Sequence, residues 1–144
     1  MKLQASAAEL LAQLQTVSRV ASTRSAVQAL SGVQLVAEDG RVELRATEME
    51  VGLRVPLQAE VQRPGTAVVP ARLTLDVVRA LPSDQVTLEL RAAEQDVEIK
   101  GGNATFHIRT LRLEDFPPFP EAEEGSRVSV PAKAFVETIG KVAR

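Results

Sequence analysis

The chain reads as an α+β fold with helices laid over antiparallel sheets, and three features predict it. The order strand, helix, several strands occurs twice within the first 110 residues, with helices near 7–20 and 71–80, and starts a third time near residue 127. From Ser31 the apolar spacing changes from helical intervals to alternation. Turn-forming Gly, Asp and Asn punctuate the alternating runs.

Residues 2–5, KLQA, form a short strand that leads into SAAELLAQLQTVSRVAS, where Leu10, Leu11, Leu14, Val17 and Ala21 recur at helical spacing. Ser6 is placed to cap this helix, and Glu9 three residues later completes a capping-box pattern. The stretch GVQLVAEDGRVELRATEMEVGLRVPLQAEV then alternates apolar and polar residues, with a hairpin turn at Glu38–Gly40, and predicts one antiparallel meander. A further strand, TAVVP, feeds the helix ARLTLDVVRAL, which Pro82 and Ser83 stop. Three short strands fit QVTLEL, DVEIKG and ATFHIRT, and Gly101, Gly102 and Asn103 turn the last pair.

The segment LRLEDFPPFPEAEEG breaks the pattern. Pro117, Pro118 and Pro120 with Glu114, Asp115, Glu121, Glu123 and Glu124 predict an extended, solvated linker over about 111–124. Residues 1–124 are thus expected to be one domain with its linker. Residues 125–144, GSRVSVPAKAFVETIGKVAR, repeat the opening strand and helix, with Phe135, Val136, Ile139 and Val142 as the apolar stripe. That stripe has no completed second domain to pack on and is expected to protect its amides poorly.

With 144 residues, 44% of them hydrophobic, the chain can bury one core but not two ordinary ones. It has no cysteine, which excludes disulfides and thiolate metal sites and suits a reducing, cytoplasmic compartment. The first residues lack the apolar run of a signal peptide, and no stretch approaches a membrane span. Aromatics are 3% of the chain, too few for a base-stacking platform.

Charge is divided by element. The three helices and the residues just after them carry Arg19, Arg24, Arg72, Arg79, Lys133, Lys141 and Arg144 against Glu9, Asp76 and Glu137, a balance of +4. The strands and linker carry −6, which gives the overall −2. Arg72, Asp76 and Arg79 fall on one face of the second helix, opposite Leu75 and Val78, and Lys133, Glu137, Lys141 and Arg144 do the same on the third. Such a face suits phosphates without reading bases, although similar faces are commonly only solvated.

Several stretches together resemble the bacterial beta sliding clamp family, the processivity subunit of DNA polymerase III. They are LLAQLQTVSRVAS, ATEMEVGLRV, VVPARLTLDVVRALP, ATFHIRTL and EDFPPFP, and the resemblance runs in register along essentially the whole chain. It implies a DNA clamp fold in which each domain repeats strand, helix and antiparallel strands twice. Three such domains make a protomer, and two protomers close head to tail into a homodimeric ring around double-stranded DNA. Helices would line the hole and sheets the rim, and the acidic sheet side, including Glu43, Glu89 and Glu98, would repel DNA from outside. No cofactor and no catalysis are implied.

Carried over residue by residue, the resemblance assigns DNA contact to Arg24, Arg72 and Arg79, and the basic third helix adds Lys133 and Lys141. It assigns Phe106 to the edge strand that meets the other protomer, with Leu73 and Leu75 near that junction. The groove through which the family binds DNA polymerase III and the clamp loader belongs to domains mostly outside this sequence. A second reading, independent of the resemblance, is a small interaction module that binds a partner through the sheet edge at ATFHIRT.

Catalytic chemistry has little support. His107 is the only histidine, with no cysteine or second histidine to share a metal. Glu48 and Glu50 share a strand face without a nucleophile beside them, and KGGNA lacks the Lys-Ser/Thr ending of a phosphate loop.

Overall fold

A computed structural model describes residues 1–119, 125 and 127–143. Nine strands and three helices follow in the order β1 (Lys2–Ser6), α1 (Ala7–Val17), β2 (Gly32–Glu38), β3 (Arg41–Thr47), β4 (Gly52–Leu57), β5 (Ala59–Arg63), β6 (Gly65–Pro70), α2 (Ala71–Ala80), β7 (Gln85–Arg91), β8 (Asp96–Gly101), β9 (Ala104–Arg109) and α3 (Ala132–Val142). Short 3-10 turns occupy Gln28–Ser31 and Leu113–Asp115.

The strands form two antiparallel sheets, β5-β1-β7-β8-β9 and β4-β3-β2-β6. Alternation decides which side of each strand is buried. Leu3 and Ala5 of β1, Val42, Leu44 and Ala46 of β3, Val86 and Leu88 of β7, and Val97 and Ile99 of β8 all enter one core. Leu10, Leu14 and Val17 of α1 and Ala71, Val77 and Val78 of α2 enter it from the helical side, and α1 packs against α2. The β2–β3 turn matches its reading: Asp39 and Gly40 both have positive φ, 50° and 72°, as a two-residue hairpin turn requires.

The expected single meander breaks at Gln58. β2, β3 and β4 pair in sequence, but β5 pairs with β1 in the other sheet, Ala5 opposite Ala59. Glu9 takes part in that switch. Ser6 Oγ does accept from the Glu9 amide at 3.4 Å, but the Glu9 carboxylate accepts from Gln58 N–H at 3.0 Å and does not reach back to its own cap. The capping box is therefore half formed, and its acid ties α1 to the corner between the sheets.

Two further expectations change. α1 ends at Val17, with the Ser18 amide donating to Leu14 O, and Val20 and Ala21 reach the core from the loop beyond. Ser and Thr in SRVASTRS compete for backbone hydrogen bonds and favour the loop. The linker is not solvated from its start: Leu111 N–H donates to Val68 O at 2.8 Å and Phe116 is 6% exposed. Apolar residues among the prolines outweigh the acids there. Pro120 and Glu121–Glu124 lie outside the described residues. α3 buries no residue, and Phe135, Val136, Ile139 and Val142 are all exposed.

Candidate nucleic-acid interface and open sheet edge

α2 is set by its 3.6-residue period. Ala71, Thr74, Val77 and Val78 are buried, which leaves Arg72, Leu73, Asp76 and Arg79 on the solvent side. Arg79 is paired with Asp76 at 3.4 Å, both side chains more than half exposed, so the pair holds little energy. The loop after α1 presents Arg19 and Arg24, both exposed. Among the described residues, no ion pair involves Arg19, Arg24 or Arg72.

An open groove of about 600 Å³ is lined by Ser18, Thr23 and Ser31 together with Arg72, Leu73, Leu75 and Asp76 of α2. The fold thus brings Thr23, next to Arg24, to the same groove as Arg72, although Arg24 and Arg72 are 48 positions apart in sequence. Arg19, which the sequence offers only as one of the basic residues of the helical segments, belongs to this loop as well. Its signal was position: a cation just past the end of α1, five residues before Arg24. Lys133 and Lys141 lie on α3, which buries nothing, so the described structure does not join them to the α1–α2 face.

β9 is the outer strand of the five-stranded sheet, paired on one side only, by β8. It contains no proline and no register shift to blunt it. Phe106 is half-buried against the core and stands opposite Ile99. α2 packs beside β9, so Phe106 and the α2 residues Leu73 and Leu75 come from adjoining elements. Leu73 is 51% exposed, whereas Leu75 packs partly on the core.

The outward side of β8 and β9 is ionic. Arg91 donates to Asp96 at 2.8 Å and holds that carboxyl below the usual range, and Lys100 does the same for Glu98. His107 lies 3.6 Å from a carboxylate oxygen of each. No group of three or more metal-ligating side chains occurs among the described residues. The three acids named for the rim are each ion-paired: Glu43 with Arg45, Glu89 with Lys2 and Arg63, and Glu98 with Lys100. Arg45 and Lys100 are two residues from their acids on the same strand face, so alternation alone places them together, whereas Lys2 and Arg63 reach Glu89 from neighbouring strands.

Residues 1–120 match the family model of the DNA polymerase III beta subunit, N-terminal domain. The chain is 37% identical over 123 residues to a beta sliding clamp of Pseudomonas aeruginosa and 32% identical over 126 residues to one of Streptomyces coelicolor. These alignments cover 84% and 88% of this chain but 33% of each relative. Among solved structures, the DNA polymerase III subunit beta of Pseudomonas aeruginosa superposes with a TM-score of 0.86 at 31% identity over 97% of this chain and 38% of that one. The pol III beta of Caulobacter crescentus gives 0.89 at 29% identity over 98% and 38%. The chain therefore spans about a third of the length of these relatives. With two sheets, paired helices and a match of residues 1–120 to the N-terminal domain model, the chain belongs to the DNA polymerase III beta subunit family.

Proposed function

We propose that this chain supplies the first unit of a DNA sliding clamp, a non-catalytic processivity factor that encircles duplex DNA and tethers the replicative polymerase in the cytoplasm. The observation that supports this reading is that Arg19 and Arg24 on the loop after α1 and Arg72 on the exposed side of α2 have no ion-pair partners among the described residues, on a chain of net charge −2. Cations without ion-pair partners attract a phosphate backbone without base contacts, and few of them give weak, sliding attachment. Arg24, Arg72 and Arg79 are the DNA-facing residues in this reading, and Lys133 and Lys141 extend the surface into a following unit. Residues 1–124 make the first unit with its connection, and 125–144 open the second. A single unit cannot enclose DNA, so retention needs the further units and a second protomer, joined through Phe106 on β9 with Leu73 and Leu75 beside it. DNA polymerase III and the clamp loader bind elsewhere in the assembled protein.

The test is retention of the full-length protein on nicked circular duplex compared with the same duplex linearised. Topological holding gives retention on the circle and loss from the free ends. Equal retention on both forms would refute encirclement.

The open edge of β9 favours a second reading, strand addition by a partner protein without any ring. Full-length Phe106→Ala separates the two. A ring subunit loses dimerisation and circle retention together, whereas an edge-binding module loses its partner and never retained the circle.

A further inference from the structure

We infer that residues 110–119 form a latch that fixes where the chain leaves the first unit. Thr110 donates to Gln95 O through its amide at 3.0 Å and its hydroxyl at 3.1 Å. Leu111 then bridges to Val68 on β6, and its side chain occupies the space above Gly32: a Cβ there would lie 2.9 Å from Leu111 Cδ1. Phe116 is buried with Ala29 and Val68 in a small cluster of its own. The Phe119 ring lies over Gly52, where a Cβ would come within 2.9 Å, and the Arg54 guanidinium sits 5.8 Å from the ring centroid, within reach of a cation–π interaction.

Gly32 and Gly52 stand at the same end of the four-stranded sheet, where β2 and β4 begin. The latch therefore crosses the sheet from β6, one outer strand, to β4, the other. Three inter-strand spacings amount to about 14 Å, and eight residues reach up to about 27 Å, so the segment spans the width with chain to spare for its 3-10 turn. Two positions without side chains receive its two ends, which is a shape match and not a chance overlay. The consequence is positional. Whatever follows Phe119 starts from the β4 edge, at a point set by Gly32, Gly52 and Arg54, and not from Arg109 at the end of β9.

Limited trypsinolysis of the 144-residue chain tests the latch, with the bond after exposed Arg127 as the internal reference for the bond after Arg112. Arg112 is itself exposed, its side chain 76% accessible, so only backbone anchoring protects it. Cleavage after Arg112 is expected to be roughly ten-fold slower than after Arg127, because the latch must open first. Phe119→Ala and Gly52→Val, the second placing a strand-compatible side chain where the ring sits, should each raise the Arg112 rate several-fold, while the unfolding midpoint of the unit moves little. Equal rates at the two bonds in the unaltered chain would overturn the inference. So would Arg112 remaining slow in both variants, since Phe119 would then anchor nothing.

Discussion

Thr74→Val should stabilise the protein. Thr74 is 0% exposed on the core side of α2, and its hydroxyl has no hydrogen-bond partner. A buried hydroxyl without a partner costs about 1–3 kcal/mol in lost hydration. Valine replaces it at nearly the same volume, and both residues are β-branched, so helix propensity and χ1 freedom hardly change. The net gain is set at about 1 kcal/mol, near the low end, because the new methyl must fit the space of an oxygen. For a unit of this size that corresponds to a rise in Tm of roughly 3–6 °C. Thr74→Ser is the control: it keeps the hydroxyl and removes a methyl group, at a cost of about 1 kcal/mol. Urea unfolding followed by circular dichroism, with the slope unchanged among the three proteins, reads both values. If valine is neutral or destabilising, the hydroxyl is satisfied in solution and the argument from the unpartnered oxygen is refuted. Arg72 and Arg79 lie on the opposite face of α2, so DNA retention by the full-length protein should not change with either substitution.

Three more predictions concern charge and the chain end. In the full-length protein, Arg24→Ala and Arg72→Ala should each shallow the dependence of log affinity on log salt by about 0.9 for each phosphate no longer neutralised, measured by DNA titration at several salt concentrations; Arg79→Ala should do less, since Asp76 already engages it. Asp96 is held below its ordinary range first by hydrogen bonding to Arg91, so its stabilising contribution is complete above the unfolded carboxylate pKa and is lost as pH falls through the lower folded value. The unfolding midpoint should therefore drop below about pH 4, and Asp96→Asn should weaken the protein at neutral pH and flatten that drop; an unchanged acid limb would exclude Asp96 from it. Amides of Ala132–Val142 should exchange much faster than those of Val42–Ala46, because α3 buries no side chain in this chain; equal protection would mean that the stripe from Phe135 to Val142 finds a partner.

Most elements were legible in sequence because local periodicity is a direct consequence of which face is buried; the strand expected before α3 is not formed among the described residues, where it has no sheet to pair with. Leu10, Leu14 and Val17 announce α1, Val78 announces α2, and the alternation through Val42, Leu44 and Ala46 announces β3, all of which enter the core, while Leu75, expected beside Val78, packs on it only partly. The resemblance carried the family, and the DNA-facing and interface residues followed from it as assignments. Periodicity contains no information about partners distant in sequence, and that is where the reading fell short. Nothing local in LRVPLQAEV says that the chain changes sheets at Gln58, because both sheets demand the same alternation. Glu9 looks like a capping-box acid until Gln58, 49 residues on, offers its amide. Glu89 looks uncompensated until strand register places Lys2 and Arg63 beside it. Prolines and acids made 111–119 look like free linker, and only the space left by Gly32 and Gly52 receives Leu111 and Phe119. What the sequence determined alone was each segment's own conformation and buried face; pairing, the neutralisation of Glu89 and the course of the connection arise between segments, so only the tertiary structure decided them.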